Sequence, residues 1–290
     1  MAQRNSPADL ANHTASLSIS SDASDGYTVQ EALIRDAEAF VKRAFENHDP
    51  SHDWHHVNRV RQLALSLRNS PDVADEQLDL LVVELAALFH DLNDAKYAKT
   101  TVYSSGSLPI ISSFFDSHPS SYILDAVQRE RIVKIVDNVS WSKDCRRREA
   151  RQRSHSLGEE PSQQEKELDQ WLDSCREFWC VSDADRLDAI GSIGIMRCAA
   201  FSAVKMRPLY VPPNNAQMDS RPPAEQGEGY NGSAVAHFHE KLVKIRGDRL
   251  YTQAAKVEAE RRQQMMESFL TELDLEWMVA AQGAEMAKMV

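Results

Sequence analysis

The chain has 290 residues, of which 42% are hydrophobic, and a formal net charge of −11 at pH 7. That is apolar material for one large domain or two small ones, and the acidic balance excludes binding to long nucleic acid or anionic membrane through overall charge. A nucleotide would need a local basic pocket. No apolar run approaches membrane-spanning length. Cys145, Cys175, Cys180 and Cys198 form no C-x-x-C pair, and they read as reduced thiols of the cytosol or nucleus.

Residues 1–27 are rich in Ser, Ala and Asp and lack an apolar signal region, so they read as a disordered tail. From Thr28 helical periodicity dominates. In "EALIRDAEAFVKRAFENH", Leu33, Ala37, Phe40, Val41 and Ala44 share one face. A second helix carries His56, Val60, Leu63 and Leu67 at i, i+4, i+7 and i+11. A third follows Pro71 and runs through Leu78, Leu81, Val82, Leu85 and Leu88. "AVQRERIVKIVDNVSW" gives another, with Ile132, Ile135, Val136 and Val139. One longer helix is expected from near Glu165, carrying Leu168, Trp171, Leu172, Cys175, Phe178 and Trp179. The helical pattern then continues through "SDADRLDAIGSIGIMRCAAFS" and stops at Pro208. Two C-terminal helices are expected: "SAVAHFHEKLVKIRG", closed by Gly247, and about Thr252 to Ala281. With no alternating strand pattern and no repeat, the fold class is all-α. Two polar stretches, 142–167 and 207–232, read as long loop insertions because neither can bury an apolar face. The first has a basic half that could touch phosphate, although a solvated charge run is the commoner explanation.

Chemistry concentrates in three places. His90 and Asp91 end a strongly apolar helix. An imidazole and a carboxylate at a helix end can hold one ion, and this donor pair suits Mn, Fe, Co, Zn or Mg. The alternative is a histidine resting in the helix dipole field. His56 lies on the buried face of its helix, His55 falls off that face, and His52 sits one turn upstream near the site opening. The 34 residues from His56 to His90 span a helix hairpin, which can bring the two together. Asp183, Asp185 and Asp188 place three acids in six residues, which repel unless a cation or base sits among them. An N-capping cluster is the alternative for Ser182 and Asp183. Gly191 and Gly194 would let another backbone approach.

Read together, "HDWHHVNRV", "LFHDLNDAKY" and "DADRLDAIGSIGIMR" spell H…HD…D. This pattern resembles the HD-domain metal-dependent phosphohydrolases, in particular a branch of small bacterial and fungal proteins that includes Mn-dependent nucleoside triphosphate pyrophosphohydrolases. The resemblance implies an HD-domain helical bundle over 28–285. It also implies one divalent ion held by His56, His90, Asp91 and Asp185, with Mn first and Mg, Co, Fe, Ni or Zn as alternatives. Asp94 matches the acid that such enzymes use near the attacking water, and helical spacing places it close to the ion. His52, Arg59, Lys96, Lys99 and Arg186 are then the candidate substrate contacts. The implied reaction cleaves a nucleoside triphosphate to monophosphate and pyrophosphate. Alternatives are a nucleoside monophosphate phosphatase or phosphodiesterase, and a non-catalytic metal- or nucleotide-binding module. A di-iron oxygenase would want further histidines. The expected partner is a nucleotide, with no membrane and no long nucleic acid. The assembly state is left open, a homodimer included.

Overall fold

The computed structural model describes residues 28–74, 78–92, 109–211 and 232–289. In these the helices are α1 (Val29–Ala44), α2 (Trp54–Leu67), α3 (Leu80–Phe89), α4 (Pro109–Ser117), α5 (Ala126–Asn138) and α6 (Trp141–Leu157). They continue with α7 (Gln163–Leu172), α8 (Arg176–Asp188), α9 (Gly191–Val204), α10 (Ala234–Glu240) and α11 (Gln253–Lys288). No strand occurs among the described residues, so the all-α expectation holds.

Short polar residues start the helices that build the core. Thr28 and Glu31 form a capping box on α1, whose Leu33, Ala37 and Val41 are buried. Asp53 caps α2 by accepting from the His56 amide at 2.9 Å. Asp79 caps α3 through the Val82 amide. Eight of the ten α3 residues are buried, so this helix is apolar all round and forms the centre of the bundle. It packs against α1, α2, α5 and α8, while α2 packs against both α3 and α8. Leu85 and Leu88 are fully buried, and each contributes about 1.5–3 kcal/mol by leaving water.

The structure departs from the sequence reading in four places. The stretch 142–167, expected as a loop, is helical in α6 and again from Gln163 in α7. Arginines have good helix propensity. Here α6 is held by ion pairs rather than an apolar stripe: Arg148 to Asp144 and Asp248, and Arg151 to Asp169. Gly158, at φ 69°, closes α6, and a Ser162–Glu165 capping box opens α7. The single helix expected from Glu165 through Trp179 is broken at Asp173–Cys175. The break lets Trp171 and Phe178 pack ring to ring at 5.8 Å, and lets Trp179 Nε1 donate to Leu172 O at 2.7 Å. The first C-terminal helix ends early, at Glu240, and continues as 3-10 turns over Leu242–Lys244 and Gly247–Arg249. Buried Gln263 of α11 donates to Leu242 O and Ile245 O, satisfying that irregular backbone. Helix α4, for which no expectation was formed, buries Ile111, Phe114 and Phe115. Of the second expected loop, residues 212–231 lie outside the described residues, as does the expected tail at 1–27.

Candidate metal centre

The α2–α3–α8 contact carries the polar cluster. The Asp53 cap sets the register of α2 so that His56 is fully buried and His55 is exposed, as the periodicity requires. His90 follows the last residue of α3 and is 5% exposed. Asp185 lies in the last turns of α8. The imidazole nitrogens His56 Nε2 and His90 Nε2 approach to 3.2 Å. Asp91 Oδ2 stands 3.2 Å from the first and 3.3 Å from the second. Asp185 Oδ1 is 4.0 Å and 3.9 Å away from them. One donor atom from each of His56, His90 and Asp185 lies within 4.8 Å of the others.

Both histidines have their outer nitrogen occupied. His90 Nδ1–H donates to Ala87 O at 2.8 Å, and His56 Nδ1–H donates to Asp188 Oδ2 at 2.7 Å. In the neutral tautomer each Nε2 therefore turns a lone pair inward, towards the other imidazole and the carboxylates. Such a set repels itself unless a cation stands among its members. Without a metal, a proton serves: burial disfavours the charged His90, but Asp91 and Asp185 outweigh it and hold its pKa at about 9. Burial likewise opposes the Asp91 charge, and the His90 and His56 imidazoles more than offset this, so its carboxyl sits well below the usual range. Two imidazoles with fixed tautomers and two carboxylates fit a divalent transition ion.

Asp188 was grouped with Asp183 and Asp185 in the sequence but not assigned a task. It is buried, and besides His56 it accepts from Arg59 Nε at 2.8 Å, Arg59 Nη2 at 3.1 Å and Arg197 Nη1 at 3.1 Å. Burial opposes its charge, yet the His56 and Arg59 hydrogen bonds and the Arg197 charge hold the carboxyl far below its ordinary value. Arg197, which the sequence reading missed, also donates to Ser51 O at 2.7 Å, tying the α2 entrance to α9. Its only sequence signal is an arginine within the otherwise apolar segment "IGIMRCAA". Asp183 is not an N-cap of α8 but lies within it. It accepts from the Tyr251 amide, the Thr252 amide and the Thr252 hydroxyl, and so fastens the start of α11. The three acids thus face three different partners. Gly191 adopts φ 74° and lies against the Arg262 side chain, while a Cβ at Gly194 would come within 2.3 Å of Ala189 O, so the only backbone approach at these two glycines among the described residues is that of the local α8–α9 turn to Gly194.

The candidate substrate contacts divide. His52 is half-buried with its ring 5.7 Å from that of His56. Arg59 is committed to Asp188 through two N–H groups. Arg186 does not join the cluster: it is 2% exposed, donates to Arg249 O, and lies beside Asp144 and the Trp141 and Tyr251 rings. The reason is helical: successive residues on α8 point about 100° apart, so a helix that turns Asp185 to the histidines turns Arg186 away. Asp94, Lys96 and Lys99 lie outside the described residues.

No family model matches the chain. It is 31% identical to YpgQ, an uncharacterized protein of Bacillus subtilis, over 238 residues that make up 81% of this chain and 89% of that one. An uncharacterized protein of Acanthamoeba polyphaga mimivirus is 25% identical over 232 residues. Among solved structures, an HD-superfamily hydrolase of Bacillus thuringiensis superposes with a TM-score of 0.54 at 28% identity, covering 86% of this chain and 98% of that one. Bacillus subtilis YpgQ in complex with ADP superposes with a TM-score of 0.54 over 86% of this chain and 97% of that one, at 24% identity in that superposition. An α-helical bundle with a buried His–His–Asp cluster defines a class of protein. With these relatives, the chain belongs to the HD-domain phosphohydrolase superfamily.

Proposed function

We propose that the chain is a divalent-metal-dependent hydrolase of phosphoanhydride or phosphoester bonds in nucleotides, cleaving a nucleoside triphosphate to monophosphate and pyrophosphate. The observation that carries this reading is the convergence of His56, His90, Asp91 and Asp185 with both outer imidazole nitrogens already bonded. In this reading all four are metal ligands, and Mn is the first choice of ion. Once bound, a divalent ion supplies a water of lowered pKa and offsets charge on a phosphate oxygen. Asp188, clamped by Arg59 and Arg197, holds His56 in the tautomer that offers Nε2. Arg59 therefore acts through His56 rather than on substrate, while His52 stands beside His56 where substrate would enter. Asp94 keeps its assignment from the family pattern, taking the proton of the attacking water, and Lys96 and Lys99 are kept as the local cations that would offset the phosphates. Nucleotides are favoured as substrates by the related YpgQ, which has been crystallised with ADP.

The deciding experiment measures metal content and turnover on one preparation supplied with Mn. A panel of nucleotides is used, with phosphate and pyrophosphate detected separately. One ion per chain with pyrophosphate release is expected. Phosphate release from monophosphates alone would establish the phosphatase instead, and an ion bound without turnover of any nucleotide would leave a binding module.

A further inference from the structure

A second cluster of charge lies at the face of α8 that Arg186 occupies. Near it, though not lined by Arg186 itself, a cavity of about 280 Å³ opens between α6, the end of α7 and the start of α11, and Arg147, Arg148, Arg151 and Lys256 line it. Asp144, Asp173 and Asp248 line it too; buried Asp144 stands among most of these guanidinium groups, while Arg148 also reaches Asp248 and Arg151 pairs with Asp169. Asp144 accepts from Arg148 Nε at 3.1 Å and Arg249 Nη1 at 3.0 Å, while Arg186 Nη2 stays at 3.6 Å and Arg147 Nη2 at 3.8 Å. The buried atoms Arg147 Nη2, Arg186 Nε and Arg186 Nη2 are left without a hydrogen-bond partner. Of these, Arg147 Nη2 belongs to a residue of the cavity lining, while Arg186, 2% exposed, is buried outside the lining beside Asp144; none has an acceptor among the described residues. A buried donor left unpaired is costly, and a cationic cavity that keeps one implies an unseen acceptor. The excess is local, since the whole chain carries −11.

We propose that this cavity is an anion site taking the phosphate group of a small phosphorylated ligand, separate from the His–Asp centre. A tetrahedral oxyanion offers several acceptors to several guanidinium groups at once, the arrangement that arginine forks match. The cavity can hold an orthophosphate or a pyrophosphate beside Arg147 and Arg151. Those two lie four apart on α6 and share one face. The proposal stands without the nucleotidase reading, because neither Asp185 nor either histidine lines the cavity.

The test is calorimetric titration of the full chain with pyrophosphate in the presence of chelator, so that the His–Asp centre holds no ion. One equivalent is expected to bind, with affinity falling as salt rises. Arg151→Gln and Lys256→Gln, at partly exposed positions, should each weaken it, and Arg147→Gln with Arg151→Gln together by about 10-fold or more. His90→Ala should leave it unchanged. ADP titrated in parallel separates the sources: binding tighter than pyrophosphate assigns the phosphate to a nucleotide, and equal or weaker binding assigns it to a free phosphate. No pyrophosphate binding by the wild type, binding unaltered in Arg151→Gln and Lys256→Gln, or binding abolished by His90→Ala would overturn the proposal.

Discussion

At the scale of single residues, the centre depends on groups that never reach the ion position. Asp188 fixes His56, and two arginines hold Asp188. Asp188→Asn should lower metal affinity about 10–100-fold, as loss of such outer partners does. The same change leaves Arg59 and Arg197 without their shared buried anion, costing roughly 3–5 kcal/mol. His55→Ala, at an exposed position of the same helix, should change neither metal content nor Tm. The pH dependence follows from His90. Its pKa in the metal-free fold, about 9, stands above the ordinary 6.5, so protonation stabilises the metal-free protein. That contribution is complete below about pH 6.5 and is lost as pH rises to about 9. A metal must displace this proton, so metal affinity should increase with pH across the same window. Melting curves over this range, in chelator and in Mn, should diverge with rising pH, and parallel curves would remove His90 from the site.

At the scale of elements, α11 is two helices in one. Its first half is anchored by Asp183 and buries Ala255, Ala259, Gln263 and Met266. Its second half exposes Leu275, Trp277, Met278 and Val279, with Tyr210 the neighbour of Asp274 and Trp277. Truncation after Thr271 should therefore move Tm by no more than about 3 °C. Asp183→Ala should lower stability by about 1–3 kcal/mol for each buried donor it strands. Thermal unfolding of the two variants checks both. Asp53, Asp79, Asp125 and Ser162 all cap the helices that follow them. Helix α6 was not readable as a helix, because its partners, Asp248 and Asp169, lie far along the chain and no apolar stripe announces it.

For the molecule as a whole, α2, α3 and α8 form one core and also carry the four candidate ligands. Metal binding should therefore stabilise the entire fold. At a free concentration about 100 times Kd it adds about 2.7 kcal/mol, which for a domain of this size raises Tm by roughly 5–10 °C. Chelator should reverse the shift in the wild type and have no effect on His90→Ala. A wild-type Tm indifferent to every divalent ion would show that the cluster holds none.

The sequence by itself determined the all-α class, the buried faces of α1, α2, α3 and α5, and the ligand candidates. Helical periodicity is local, so the burial of His56 beside Val60 and the exposure of His55 were both legible. The apolar run ending in His90–Asp91 was equally plain. Residue type alone did not separate the three neighbouring acids; the family resemblance singled out Asp185, and the tertiary structure brings its carboxylate to the two Nε2 atoms. Asp183, Asp185 and Asp188 have similar chemistry in sequence, and only the packing of α8 against α2 and α11 sends one to Thr252, one to the two Nε2 atoms and one behind His56. It also decided that Arg186, next to Asp185 in the chain, meets Arg249 O and Asp144 instead of the histidines. A helix separates neighbours in angle, and what each then meets is set by elements tens of residues away.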